Sequence, residues 1–423
     1  MRLLAVHRWR HRKGGAEGVH LDHLALFRER GWDCADFAVD HPDNEPSEWS
    51  GYFPAPFAPR GGVASLASLP RFFHSREAGE KFARLLDDFR PDVIHAHGIY
   101  HHLTNAILAP AKRRGVPIVY TLHDYKLICP AYHFYTPQRG VCESCKGGKQ
   151  WRCLTNRCTQ GPLAMDALYA LDGWLQWHGG ALERAVSRFV GPCRFIVEKF
   201  AEHGFPRDKL RYTPNFFESA DDAPVAANDV AALRAARGPH ILYFGRLSPE
   251  KGVDLLIDAF AGEASGASDL DLVVAGPDQV GWRRQLEARA EALGVASRIH
   301  WPGMVVGDVK LGAYRGCEAF VLPSHQENFG IVVAEAMAAG KPVLISNKVQ
   351  IWREVEASGG GFAEPDDSGG TARLLRRFLA LSAEERAAMG AAARATFLDR
   401  FEMRKAVAVI NRSLEEVSHE RAS

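Results

Sequence analysis

Short apolar runs alternate with helix-type patterns along the whole chain, and this alternation limits what it can fold into. In the first half, RLLAVH (2–7), DVIHAHG (92–98) and PIVYTLHD (117–124) read as strands that end in polar residues. VHLDHLALFRERG (19–31) carries apolar residues at helical spacing and stops at Gly31. In the second half, HILYFGR (240–246), DLVVAG (271–276), RIHWPG (298–303), AFVLPS (319–324) and PVLIS (342–346) are the strand candidates. Helical patterns such as GVDLLIDAFAG and WRRQLEARAEALG separate them. Such alternation predicts parallel sheets covered by helices, one per domain. Ligands of such sheets bind beyond the C-terminal ends of the strands, so the chemistry is expected in the residues that terminate these runs. The tail from Ala383 to Val417 reads as helical throughout, and no repeat of 20–50 residues is apparent.

Length and charge refine this picture. A chain of 423 residues with 46% hydrophobic residues has material for two cores. ESADDAPVAANDVAALRAARGP is rich in Ala and Asp and lacks an apolar cluster of strand length, so 218–239 is expected to be a linker. It divides an N-terminal domain (1–217) from a C-terminal one (240–400), and a final helix (401–423) is expected to cross back to the first. The net charge of +1 argues against a general nucleic-acid binder. That total hides an asymmetry: residues 1–220 hold 29 Lys+Arg against 23 Asp+Glu, and the remainder 23 against 28. Two differently charged halves suggest domains with different partners. The opening LLAV is too short for a secretory core, and no apolar run approaches the ~18 residues of a spanning helix. The expectation is a cytoplasmic protein.

Two strings carry chemistry. GRLSPEKG (245–252) follows a strand, and its turn can bring Arg246 and Lys251 toward one point, where they would neutralise a diphosphate. In PSHQENFGIVVAEAMAAGKP (323–342) a strand leads through a loop to a helix starting near Asn328 to Gly330. Amides at a helix start carry partial positive charge and suit phosphate, and Gly330 lets the backbone approach a ligand. Glu327 and Glu335 stand eight residues apart, the second about two turns along that helix, where a carboxylate can accept hydrogen bonds from a ribose diol. The one D-x-D string, Asp269–Leu270–Asp271, leads into an apolar strand and reads as structural.

GRLSPEKG followed by ENFGIVVAEAMAAGKPV resembles the donor-binding half of glycosyltransferase family 4, retaining enzymes of the GT-B fold. The resemblance implies two Rossmann-like α/β domains with parallel sheets facing across a cleft. It assigns Arg246 and Lys251 to the donor diphosphate, Glu327 to the transferred sugar and Glu335 to the ribose. Asn328, Phe329 and Gly330 would line sugar and phosphate with their amides. The nucleobase would sit near Gly303, Met304 and Val305, with Gly276 nearby and Gly245 opening the diphosphate turn. In the first half, Gly14 and Gly15 match the family's glycine loop, and His123 matches its histidine at the donor sugar. His97 and Asp124 are candidates for the acceptor pocket or for orienting His123, and Asn215 resembles the Pro–Asn step before the linker. The reading is a metal-independent hexosyltransferase moving a sugar from a UDP-sugar or GDP-mannose to a glycan or lipid-linked acceptor. Its expected setting is bacterial surface polysaccharide or lipopolysaccharide assembly. A nucleotide-sugar epimerase and a catalytically silent scaffold of the same architecture are the alternatives.

Five of the eight cysteines fall within 129–158. Cys142-x2-Cys145 has a chelating spacing, Cys153 and Cys158 follow closely, and four thiolates can hold Zn²⁺ tetrahedrally. A subset of the family carries a similar insert, which resembles Cys129, Cys142, Cys145 and Cys158 and leaves Cys153 as an extra. A structural Zn²⁺ is expected, with free thiols, disulfides or an iron–sulfur cluster as alternatives. No basic recognition helix with His ligands follows, so a DNA-reading finger is not indicated. Cys34, Cys193 and Cys317 sit in apolar contexts and read as packing residues. Finally, RWRHRK (8–13) with Arg71, Phe72 and Phe73 is a candidate contact for an anionic membrane, a solvated basic face being the alternative.

Overall fold

The computed structural model describes all residues except 13–14, 58–68, 137–139, 160, 216–238, 264–269, 279–280 and 421–423. The linker expected at 218–239 and Gly14 therefore lie almost wholly outside the described residues. The chain divides into two units. The first comprises Met1–Phe134, Glu143–Phe216 and Ala406–Ser423; the second comprises Tyr135–Cys142 and Phe217–Lys405. A short stretch of the Cys-rich insert thus groups with the second unit rather than with the domain that contains it in sequence.

The strands are β1 (Arg2–Val6), β2 (Asp33–Phe37), β3 (Val93–His97), β4 (Ile118–Thr121), the hairpin β5 (Tyr135–Thr136) and β6 (Gly140–Val141), β7 (Arg188–Gly191) and β8 (Leu210–Tyr212). They continue with β9 (His240–Phe244), β10 (Asp271–Ala275), β11 (Ile299–Gly303), β12 (Ala319–Leu322), β13 (Val343–Ser346) and β14 (Gly361–Glu364). The first sheet runs β2-β1-β3-β4-β7-β8 and the second β11-β10-β9-β12-β13-β14. Every ladder within these two sheets is parallel. Helices cover both faces of such a sheet, which is why Leu3 to Val6, Ile241 to Phe244 and Ala319 to Leu322 are buried without alternation. In each sheet the strand order reverses once, between β1 and β3 and between β9 and β12, and ligands of doubly wound sheets bind beyond the strand ends at such points.

The structure adds strands that hydrophobic runs did not show. β2 carries Asp33 and Asp36, β7 opens on Arg188, β8 contains Arg211, and β14 is the short Gly361–Glu364. The tail is not one helix. Ala383–Arg400, opened by a capping box between Ser382 and Glu385, ends before Met403–Glu420 begins. The break is at Phe401, which is fully buried and packs edge-on against Phe329. Cys34, Cys193 and Cys317 are buried, and burial pushes the Cys34 thiol up to about 11 and that of Cys317 to about 12.

Among the described residues of the basic surface expected at 8–13, the arginines are paired with carboxylates. Arg10 is buried with Nε 2.5 Å from Asp36 Oδ2, Arg12 pairs with Asp22, and Arg8 lies 3.7 Å from Glu17. Phe72 is buried and stacks on His101 with 4.0 Å between ring centres, and Arg71 is bonded to Glu77 and the Ala55 carbonyl. These charges are matched inside the unit. Among the described residues, no helix is long and apolar enough to cross a membrane.

Candidate active site

In the second unit, the residues after β9 and β12 meet. Gly245 and Arg246 follow β9, and Pro249–Lys251 forms a single 3₁₀ turn closed by Gly252 at φ +67°. A Cβ on Gly252 would lie 2.3 Å from the Pro323 carbonyl, so glycine is required where this turn crosses the end of β12. The crossing is fixed by Glu250, whose carbonyl accepts from the His325 amide at 2.9 Å and from Ser324 Oγ at 3.0 Å. Glu250 also accepts from Ser248 Oγ at 2.7 Å and from Arg246 at 3.3 Å. Burial alone would raise its carboxyl pKa; the Ser248 bond and the nearby Arg246 and Lys251 charges outweigh burial and hold it below the usual range.

The same crossing brings Lys251 to Glu327. Lys251 Nζ lies 2.5 Å from Glu327 Oε2, with both side chains mostly buried. Glu327 is held by its backbone: it bridges Val349, donates to the Lys348 carbonyl at 3.1 Å and accepts from the Gln350 amide at 3.1 Å. Three residues on, Gly330 at φ +76° caps the helix Ile331–Ala338. Phe329 is buried in the core, so only its backbone is available to a ligand.

Glu335 is the fifth residue of that helix, a little over one turn in rather than two. Its carboxylate is fixed from the helix Gly307–Gly316: Lys310 Nζ lies 2.6 Å from Oε1, and Tyr314 OH donates to Oε2 at 2.8 Å. Burial and the Glu335 charge push the Tyr314 phenol well above its ordinary value, so it stays a donor. At the neighbouring strand ends, the Gly276 amide donates to the Gly303 carbonyl at 2.8 Å. Beyond Gly303, Met304 is widely exposed while Val305 packs on the core. Asp271 lies at the opposite end of β10, 2.7 Å from His300 Nε2 and away from these groups, and Asp269 is outside the described residues.

In the first unit, His123 follows β4 by two residues, and its Nε2 lies 2.8 Å from His97 Nδ1. Burial and the charge of Arg8 push His123 down to about 4, so both rings are neutral at pH 7. Asp124 Oδ1 accepts from the Lys126 amide at 2.8 Å, and burial raises its pKa. Gly15 opens the helix Gly15–Glu29, and Asn215 is buried.

Cys153 is not an outlying extra. It is fully buried and hydrogen-bonded to Cys158; that bond, burial and the charges of Cys158, Cys129 and Cys145 drive its pKa up. All eight cysteines are unbridged. Glu250, Lys310, Tyr314 and Ser324 were not singled out in the sequence. Glu250 sits inside GRLSPEKG, whereas Lys310 and Tyr314 belong to a helix with no motif of its own.

Residues 14–215 match the family described as "Glycosyl transferase 4-like domain" and residues 228–396 that described as "Glycosyl transferases group 1". Two parallel sheets carrying these two domains define a GT-B glycosyltransferase. Within that class, the chain is of the glycosyltransferase family 4 type. It is 29% identical over 176 residues to mannosylfructose-phosphate synthase of Agrobacterium fabrum, covering 39% of each chain. It is 31% identical over 199 residues to lipopolysaccharide 1,2-N-acetylglucosaminetransferase of Salmonella typhimurium, covering 45% of this chain and 47% of the other. The chain thus spans less than half the length of the curated relatives it matches. Among solved structures it resembles Anabaena Alr3699/HepE in complex with UDP and glucose (TM-score 0.67, 19% identity, 98% of this chain and 100% of that one). It also resembles sucrose-phosphate synthase from Thermosynechococcus elongatus (TM-score 0.69, 18% identity, 98% of each). At these identities the likeness shows the fold.

Proposed function

We propose that the protein is a retaining, metal-independent hexosyltransferase acting on a UDP-sugar or GDP-mannose. The acceptor is a glycan or lipid-linked glycan of bacterial surface polysaccharide or lipopolysaccharide assembly, a setting that the Salmonella relative supports. The observation that carries the reading is the Lys251–Glu327 pair beside a glycine-capped helix start at a strand-order reversal. Departure of a nucleoside diphosphate builds negative charge, and preoriented cations and amides stabilise it. Arg246, Lys251 and the amides of Asn328, Phe329 and Gly330 take that role; Gly15 matches the family's glycine loop for the phosphates, as does Gly14 by sequence. Glu335, already fixed by Lys310 and Tyr314, accepts from the ribose. Gly245, Gly276, Met304 and Val305 line nucleotide and base. Glu327 contacts the transferred sugar; in the first unit His123, bonded to His97, matches the family's histidine for that sugar, and Asp124 belongs to the acceptor side. The leaving phosphate takes the acceptor's proton on the same face.

Incubation with a panel of UDP- and GDP-sugars and acceptor should release nucleoside diphosphate. Glu327→Ala should abolish release with an unchanged circular dichroism spectrum; full activity in that variant contradicts the assignment.

The clustered thiols fit a structural Zn²⁺. The Cys158 hydrogen bond and burial, with the neighbouring thiols, keep Cys153 protonated when no ion is bound, and a divalent ion would stabilise the thiolates while stapling a loop-rich segment. Cys129, Cys145 and Cys158 are common ligands, and the fourth is Cys142 by its C-x2-C spacing or Cys153 by its place in the cluster. Protein purified without chelator should carry zinc that Cys158→Ser loses; metal-free folded protein contradicts this.

Membrane contact falls to the helix Leu163–Gly179, which buries Asp166 and Asp172 and exposes Leu163, Leu171, Trp174 and Leu175. With an excess of basic residues in this half of the chain, an anionic bilayer is the partner. Trp174→Ser/Leu175→Ser should cosediment several-fold less with anionic vesicles; no binding by the wild type removes the reading.

A further inference from the structure

The strand histidines and the helix that covers them form a second cluster that the transfer reaction does not use in full. His95 and His97 are two apart on β3 and therefore share a face. His20 and His23 are three apart on the helix Gly15–Glu29 and share a face as well. The two faces meet. The rings of His95 and His97 are 4.1 Å apart centre to centre, His20 and His97 5.0 Å, His23 and His95 5.6 Å, and His23 and His97 5.9 Å. All four are buried.

Hydrogen bonds select which nitrogens remain available. His95 Nε2 lies 2.8 Å from Thr121 Oγ1, which leaves Nδ1 as its other donor atom. His97 Nδ1 is taken by His123, and His97 Nε2 is buried with no hydrogen-bond partner. His20 Nδ1 is likewise buried and unpartnered. Orphaned buried polar atoms are rare in folded proteins, and two of them in one four-histidine cluster require a reason. One ring nitrogen from each of His23, His95 and His97 lies within 4.8 Å of the other two.

We propose that His23, His95 and His97 form a site for a divalent transition ion of the zinc type. Imidazole nitrogens bind Zn²⁺ at 2.0–2.1 Å in a tetrahedron, so nitrogens up to 4.8 Å apart must close by about 1.5 Å. Burial lowers the pKa of each ring, so all four are neutral and present lone pairs at pH 7. The bonds to Thr121 and His123 are the kind of outer partners that orient ligating histidines. The ion ties the helix to β3 and fixes the ring of His97, and through it His123. It enters as the chain folds, since the site is enclosed.

The test uses the full, untagged chain refolded from denaturant with Co²⁺, beside His23→Gln and His95→Asn. Loss of a ligand must weaken binding by at least the roughly 10–100-fold that loss of an outer partner costs. The wild-type minus His23→Gln difference spectrum should show the ligand-field bands of one tetrahedral Co²⁺ without sulfur-to-cobalt charge transfer. That signature separates this site from the cysteine cluster. Zn²⁺ should raise the melting temperature of the wild type more than that of either variant. Equal metal content and spectra in wild type and a folded variant, or a wild type that takes up no metal beyond a thiolate-bound ion, overturn the proposal. Because His95→Asn reports on the same site from the strand side, one folded variant decides the matter.

Discussion

Glu327→Gln should bind nucleoside diphosphate more tightly than the wild type while transferring sugar more slowly. In the structure the carboxylate holds Lys251 at 2.5 Å, with side chains only 12% and 23% exposed for Lys251 and Glu327. A charge-assisted bond of this kind contributes about 1.5–3 kcal/mol net. An incoming diphosphate has to draw the ammonium from Glu327 and settle beside a like charge. Gln keeps the shape and removes the charge. Recovering about 1.4 kcal/mol corresponds to roughly a tenfold gain in affinity. Lys251→Met removes the cation instead and should weaken the same ligand by about 10–100-fold, again from the net value of a charge-assisted bond. Titration calorimetry of UDP and GDP against the three proteins at one ionic strength gives the affinities, and product release gives the rates. The signature is opposite signs in binding and the same sign in turnover. If Glu327→Gln weakens the nucleotide as much as Lys251→Met does, the carboxylate does not compete for the lysine and the reasoning fails.

Two further outcomes test the scaffold. Gly276 has φ +140°, and a Cβ there would sit 1.8 Å from the Gly245 carbonyl, so Gly276→Ala should lower stability by at least about 3 kcal/mol in urea unfolding. A loss within 0.5 kcal/mol would show that the two strand ends can part. His101, stacked on Phe72 and on Tyr169, is pushed down to about 2 by burial and by Lys126, His102 and Arg8. The unfolded chain binds this proton below about pH 6.5 and the folded chain does not, so stability present above that pH falls by about 1.4 kcal/mol per unit on acidification. His101→Asn is uncharged and tolerates the left-handed φ of 59° at this position. It should lose about 2.7 kcal/mol less than the wild type between pH 7 and pH 4.5; equal losses would place the acid sensitivity elsewhere.

The sequence made most of the parallel strands legible because a strand covered on both faces is an unbroken apolar run, as in Ile241–Phe244 or Phe320–Leu322. β2, β7 and β8 escaped because charged residues interrupt them. Asp36 is tolerated inside β2 only because Arg10, 26 residues earlier, comes to it. The turn at 245–252 was readable since Arg246, Lys251 and Gly252 fall within one eight-residue string. The grip on Glu335 was not, because Lys310 and Tyr314 reach it from a separate helix. Phe401 broke an apparently continuous tail for a tertiary reason, its packing on Phe329. The histidine cluster had a signal in HLDH and HAH, each placing two rings on one face. Only the pairing of β3 beside β1, with the intervening helix over them, brings the two faces together.

The proposed reaction transfers a sugar with retention, with Arg246 and Lys251 holding the leaving diphosphate. Proton NMR of the reaction with the donor that the panel selects tests it most directly. The expected product has the anomeric configuration of the donor, forms with stoichiometric nucleoside diphosphate and is absent in Arg246→Ala/Lys251→Met. An inverted product, donor epimerised without acceptor, or undiminished transfer by the double variant would contradict it.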